Sequence, residues 1–164
     1  MTYNRIDADI VSRLQAIVGS NYVLTDNDRM EPYSHDETAG LSAWPEVVVK
    51  AGTRDEIAAI MKLANDHRIP VTPRAGGQGL SGGSVPLYGG ISLSVERMNR
   101  ILEIDHENLM AVVEPGVITG DLHRAVEAQG LMYPPDPASQ DSCCLGGNVA
   151  ESAGGPRAVK YGTT

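Results

Sequence analysis

The segment Pro73-Arg74-Ala75-Gly76-Gly77-Gln78-Gly79-Leu80-Ser81-Gly82-Gly83 is where residue types and spacing point most directly to chemistry. Successive glycines let a backbone turn its N–H groups into a shared concavity, a nest that binds anions. Without Cβ atoms in the way, a diphosphate can approach such a chain closely. Arg74 adds a cation that serves either an anion or a surface acid. Gly77, Gly79 and Gly82 match G-x-G-x-x-G, and Glu103 stands about 20 residues on, where a ribose-binding acid belongs. That motif must open a helix, however, whose N-terminus holds the phosphates. Gly82, Gly83, Pro86, Gly89 and Gly90 forbid a helix here, which excludes a Rossmann-type NAD site. A Gly-rich surface loop without any ligand remains the competing reading.

A second constellation runs from Pro134 to Gly162 (PPDPASQDSCCLGGNVAESAGGPRAVKYG). Gly146-Gly147 and Gly154-Gly155 flank a stretch short enough for two helical turns, and Asn148 and Ser152 offer hydrogen bonds. Together the two segments read as glycine-lined walls around one extended ligand. No catalytic and no metal-ligating residue is assigned. His35, His67, His106 and His123 are scattered and read as structural. Cys143 and Cys144 are adjacent, a poor geometry for a disulfide, and two ligands do not make a zinc site; they read as small packing residues.

Several elements must position these segments. Ile6, Ile10, Leu14, Ile17 and Val18 share a helical face over residues 6–18, and Gly19 ends that helix. Residues 20–44 are irregular, with one short turn near Asp28. Residues 46–74 read as strand (Val47–Val49), helix and strand (Ile69–Thr72). Thr53 and Glu56 form a capping box before a face of Ile57, Ile60, Met61 and Ala64. So close a strand–helix–strand run predicts a parallel pair. Ile91, Leu93 and Val95 alternate as a strand. Ile101–Ile104 and Met110–Val113 predict a hairpin around His106–Asn108. Thr119 caps a helix to Gln129, with Gly130 at its end, and Leu131–Tyr133 is a short strand.

Composition bounds the rest. A chain of 164 residues with 41% apolar residues can bury a core, but with 4% aromatics and no Phe it must build that core from Ile, Val, Leu, Ala and Met. A net charge of -8 argues against nucleic acid, which needs a basic face. No apolar run reaches the roughly 18 residues of a membrane span, and the start lacks the basic and apolar regions of a secretion signal, which reads as cytoplasmic.

Four ordered motifs now resemble one family. PRAGGQG (Pro73–Gly79), DPAS (Asp136–Ser139), GGNVAESAGG (Gly146–Gly155) and KYG (Lys160–Gly162) are similar to P-R-G-G-G-T-G, D-P-x-S, G-G-N-[IV]-A-x-N-A-G-G and K-Y-G. Those belong to the vanillyl-alcohol oxidase type flavoproteins, with the PCMH-type FAD-binding fold. The nearest branch is that of the glycolate oxidase D subunit, the D-lactate dehydrogenases and the D-2-hydroxyglutarate dehydrogenases. Pro115-Gly116-Val117 resembles a further turn near the cofactor.

The resemblance implies an α+β fold: a small parallel sheet flanked by helices, then the start of a second sheet. It implies a lead-in over residues 1–44 and an incomplete FAD domain over 45–164. The backbone amides of Arg74, Ala75, Gly76, Gly77, Gln78, Gly79 and Leu80 would hold the FAD pyrophosphate, with Pro73 lining the cofactor beside them. Gly116 and Val117, then Asp136, Ser139, Gly146, Gly147, Val149 and Gly155, would line the cofactor, with Asn148 ordering its turn. FAD would be non-covalent, because Gln78 stands where some relatives carry the attaching His. Ala75 and Ser152 also depart from the pattern. The flavin would accept a hydride from a small 2-hydroxy acid, redox chemistry that belongs to the cofactor. The family's substrate domain is expected to lie outside these residues, so this chain alone is expected to be inactive, to bind FAD weakly, and to self-associate or meet a partner subunit through an unfinished sheet. A cell-wall-precursor-type reductase and the flavin subunit of a molybdenum hydroxylase share this fold. A free-standing FAD-binding or subunit-docking module is the non-catalytic alternative.

Overall fold

The structure, a computed structural model, describes residues 3–164. The chain forms two compact units, one running to Arg97 and the other covering Met98–Thr164.

The first unit is built on a four-stranded sheet. Its strands are β1 (Val23–Leu24), β2 (Val47–Lys50), β3 (Val71–Arg74) and β4 (Ile91–Ser94), in the order β1-β2-β4-β3. β2, β4 and β3 are mutually parallel, and β1 is antiparallel to β2. Two helices supply one apolar layer. α1 (Ala8–Val18) is capped by the Asp7 carboxylate on Ile10 N–H, and Gly19 ends it. α3 (Arg54–Asp66) is capped by Thr53. Ile10 and Leu14 of α1, Ile60 and Leu63 of α3, and Val47, Val49, Ile91 and Leu93 of the sheet form a single buried cluster. On the opposite face, Val48 packs with Leu24, Tyr33 and Met30, the last from the short helix α2 (Asn27–Met30). Both faces of the central strands are covered, as parallel sheets require.

Several expectations are corrected here. The parallel pair β2/β3 is not adjacent, because β4 inserts between the two strands. The strand expected at Ile69–Thr72 begins at Val71, since Pro70 has no N–H to give the ladder. The capping box is displaced by one residue. Thr53 Oγ1 accepts from Glu56 N–H, but Glu56 Oε2 accepts from Gly52 N–H at 2.7 Å, drawn toward Arg97 Nη1 at 3.4 Å. Met61 is 45% exposed; the buried stripe of α3 runs through Ile60, Leu63 and Ala64, the side against α1. β4 holds Ile91 and Leu93 as expected but ends before Val95, and its burial does not alternate, because Ser92 and Ser94 are fully buried as well. The short strand β1 lay hidden in a region that reads as irregular.

The second unit opens with the predicted hairpin, β5 (Ile101–Asp105) antiparallel to β6 (Met110–Val113). The Asp105 carboxylate accepts from the N–H groups of Glu107 and Asn108 and so fixes the turn. α4 (Thr119–Glu127) packs Leu122 and Val126 against Val117 and Leu145, with Ile101, Ile104 and Val113 half-buried beneath them. Ile118, not Thr119, is the N-cap, because Thr119 turns its hydroxyl inward. Leu131–Tyr133 is not a strand; no partner strand lies beside it among the described residues, and it joins the core by side-chain packing alone. α5 (Leu145–Glu151) and α6 (Ala158–Tyr161) complete the unit. None of the helices among the described residues is long and apolar enough to cross a membrane.

Candidate functional site

In open parallel sheets, ligands collect beyond the carboxyl ends of the strands. Here the last residues of β2, β4 and β3 stand in register: Lys50 opposite Ser94, and Ser94 opposite Arg74. The glycine segment leaves the sheet at this edge. Pro73 costs no ladder bond, since β3 is an edge strand.

From Ala75 to Gly90 the chain forms neither helix nor strand, as its glycines and Pro86 dictate. Gly77 (φ +70°) is left-handed, a conformation that disfavours any side chain. Among the described residues, no backbone carbonyl accepts from the N–H groups of Ala75, Gly76, Gly77, Gly79 or Leu80. Helix, strand or turn would have satisfied them. They are uncommitted donors on a segment with little side-chain bulk, and in that respect the loop suits an anion such as a pyrophosphate. The Leu80 side chain is 75% exposed beside them.

The Arg74 side chain turns back rather than outward. Its Nη1 donates to the His35 carbonyl at 2.7 Å and reaches Ser84 Oγ at 3.5 Å, and its guanidinium lies 5.5 Å from the centre of the Tyr33 ring. Burial lowers its pKa from the usual arginine value, although Tyr33, Asp36 and Glu96 favour the cation.

Sequence reasoning missed the cluster at the same edge. Glu96 Oε1 meets Lys50 Nζ at 2.5 Å, while Tyr33 Oη donates to Glu96 Oε2 at 2.7 Å and Ser94 Oγ donates at 3.1 Å. Burial pushes the Tyr33 phenol up, and Glu96 adds to the rise. The only sequence signal was a lysine closing an otherwise apolar strand.

In the second unit the predicted residues meet in two places. The first is the Pro115–Val117 turn. Gly116 N–H donates to Met98 O, and Val117 is buried. Gly146 N–H donates to Pro115 O at 2.8 Å, and Leu145 N–H donates to Val117 O at 2.9 Å. A Cβ at Gly146 would stand 2.8 Å from Pro115 Cβ, so glycine permits this approach. Gly147 follows within α5, and Val149 projects from it, 65% exposed. Asn148 is buried and donates to Thr119 Oγ1 at 2.7 Å, while Thr119 Oγ1 lies 3.3 Å from the Cys143 carbonyl. Asn148 therefore ties α5 to α4. Cys143 and Cys144 are buried and form no disulfide.

The second place joins Asp136 to Gly155. Asp136 N–H donates to Gly154 O, and the Asp136 carboxylate pairs with Arg157 Nε at 3.7 Å. The Ser139 carbonyl accepts from Cys143 N–H and closes the turn that follows. The histidines are structural partners: His123 binds the Pro135 carbonyl, His67 binds Arg13, and His106 binds Gln129. No group of three or more His, Cys, Asp or Glu residues able to hold a metal occurs among the described residues.

The family described as FAD binding domain matches residues 45–164. The chain is similar to the glycolate oxidase subunit GlcD of Bacillus subtilis, 43% identical over 97% of this chain and 34% of that protein. It is equally similar to the D-lactate dehydrogenase of Anaerostipes hadrus, 43% identical over 99% of this chain and 34% of that protein. The chain thus spans about a third of the length of the curated relatives it matches. Among solved structures, 4-ethylphenol oxidase from Gulosibacter chungangensis superposes with a TM-score of 0.77 at 34% identity, over 89% of this chain and 29% of that one. Alkyldihydroxyacetonephosphate synthase superposes with a TM-score of 0.86 at 21% identity, over 99% and 35%, a likeness of fold alone. With the family match covering most of its length and the backbone superposing at this TM-score, the chain belongs to the FAD binding domain family, with the PCMH-type flavoprotein fold.

Proposed function

We propose that this chain is the FAD-binding part of an oxidoreductase acting on a small 2-hydroxy acid of the glycolate or D-lactate type. The uncommitted N–H groups of Ala75, Gly76, Gly77, Gly79 and Leu80 carry this reading. They hold the pyrophosphate of FAD, joined by the amides of Arg74 and Gln78, while Pro73, which has no N–H, lines the cofactor beside them. In the second unit, Gly116, Val117, Asp136, Ser139, Gly146, Gly147, Val149 and Gly155 contact the cofactor. Asn148 orders the turn beside the cofactor by fixing α5 through Thr119. When bound, FAD supplies the acceptor for a hydride from the substrate's hydroxyl-bearing carbon. The protein's share is to bind, orient and shield it. Binding is non-covalent, since Gln78 offers no nucleophile of the histidine kind.

The substrate class rests on the similarity to GlcD and D-lactate dehydrogenase.

An FAD titration of the 164-residue chain, followed by flavin fluorescence, tests the binding. Saturable quenching is expected, weakened in Gly79→Asp, which sets a carboxylate among the donors. A cooperatively folded chain that quenches no FAD at concentrations up to about 1 mM, beyond any affinity of functional interest, would overturn the assignment of the loop.

A further inference from the structure

The family match begins at residue 45, yet residues ahead of it clasp the glycine loop. The His35 carbonyl accepts from Arg74 at the loop's start, and Glu37 N–H donates to Gly79 O at 3.1 Å in its middle. Further along, Leu41 closes on Gly82: a Cβ there would stand 2.5 Å from a Leu41 methyl. The strap is itself held in shape. His35 and Ser42 form a β-bridge, and the Asp36 carboxylate accepts from Thr38 N–H at 2.9 Å. Tyr33, at the strap's start, lies beneath the Arg74 guanidinium and is anchored to Glu96.

Gly77 explains why this arrangement needs glycine. A Cβ at position 77 would fall well inside van der Waals distance of the Arg74 guanidinium. The space a side chain would take is already filled by the arginine. With its Nη1 on a carbonyl and its face toward an aromatic ring, Arg74 uses directional contacts of the guanidinium that a simple cation lacks.

We propose that the segment Tyr33–Leu41 is a working part of the glycine-loop site, and that Arg74 is a positioning residue which ties this strap to the loop and presets the loop amides. This rests on the reading that the loop binds FAD, but the tie itself is measurable without FAD. Arg74 acts through the loop; the phosphates meet the amides.

Hydrogen exchange on the 164-residue chain in the absence of FAD reads the tie directly. Arg74→Met and Gly77→Ala are each expected to raise exchange about tenfold at the Glu37 amide, the bond that reports strap–loop closure. The central amides of β2 and β4 keep their protection. Gly77→Ala also strains the left-handed backbone at φ +70°, so Arg74→Met is the cleaner probe of the tie. Arg74→Lys, which keeps the charge and one donor, should restore part of the protection. If Arg74→Met does not fold, Arg74→Gln carries the same comparison.

Unchanged protection at Glu37 in Arg74→Met or Arg74→Gln would overturn the proposal. Weaker FAD binding alongside that unchanged protection would make Arg74 a direct phosphate ligand instead. A chain that binds no FAD, yet loses protection at Glu37 in these variants, would sink the cofactor reading and leave the tie standing.

Discussion

Gly155 lies directly over the backbone of Asp136: a Cβ at 155 would fall well inside van der Waals distance of the Asp136 carbonyl oxygen. Asp136 N–H meanwhile donates to the neighbouring Gly154 carbonyl. Two motifs about 20 residues apart in sequence are thereby locked backbone to backbone. Gly155 also has a φ of +114°, which disfavours any side chain. Gly155→Ala should therefore cost both the backbone strain, about 1–2 kcal/mol, and the separation of the two segments. Gly162 is a control: its φ is +88°, but no atom lies within 4 Å of an added Cβ. Urea unfolding should show Gly155→Ala clearly more destabilised than Gly162→Ala. Equal losses would mean that the Asp136 contact contributes nothing.

Ser152 caps α5 in the left-handed conformation, with φ +52° and ψ +50°. This is the motif position where the resembled pattern carries Asn. Asn tolerates the left-handed region better than Ser, because its short amide can bond locally there. The departure thus has a physical reading: the backbone keeps the shape while the residue type fits it less well. Ser152→Asn should stabilise the chain by about 0.5 kcal/mol and Ser152→Gly by up to about 1 kcal/mol. Thermal unfolding checks this, and a fall in midpoint for both variants would contradict it.

The two units differ in how far their sequences could be read. α1, β2, α3 and the β5–β6 hairpin follow from local periodicity and caps, which are short-range signals. The insertion of β4 between β2 and β3 is a long-range pairing that no local pattern encodes. Leu131–Tyr133 has strand-like residues, but strand formation needs a neighbour to pair with. The glycine loop was legible because its composition forbids helix. Its clasp was not, since Arg74 meets a main-chain carbonyl at His35, and any residue at 35 offers that carbonyl. Lys50, Glu96 and Tyr33 converge only once the parallel strands are in register.

The hairpin of the second unit stands as a two-stranded sheet, with neither long edge paired to a third strand among the described residues. Its outer face presents Met110 and Val112, 57% and 46% exposed, beside Glu103 and Asp105. Exposed apolar strands with open edges invite pairing with another copy. Sedimentation velocity should show the chain's mass rising with concentration. Val112→Lys, which faces Glu103 across the ladder, should suppress that rise without loss of fold. A chain that stays monomeric throughout would remove the hairpin as an association surface.

Glu96 sets the acid limit of the first unit. Burial raises its pKa, but hydrogen bonds from Lys50 and Tyr33 outweigh burial and hold the carboxyl below its ordinary range. The folded state therefore binds fewer protons here than the unfolded chain near pH 4 to 5, and stability must fall as pH drops through that window and below it. Lys50 works at the opposite end: burial alone would lower its pKa, yet bonds to Glu96 and Tyr33 raise it above the ordinary lysine value. Its contribution is complete below the unfolded value and is lost as pH climbs through the folded one. Denaturant unfolding between about pH 7 and about pH 3 reads the acid limb. Glu96→Gln should flatten that limb and lower stability at neutral pH by about 1 kcal/mol, a modest figure because the pair is partly exposed and screened. Lys50→Met should flatten the alkaline limb instead. An acid limb as steep in Glu96→Gln as in the unchanged chain would show that other carboxylates govern it.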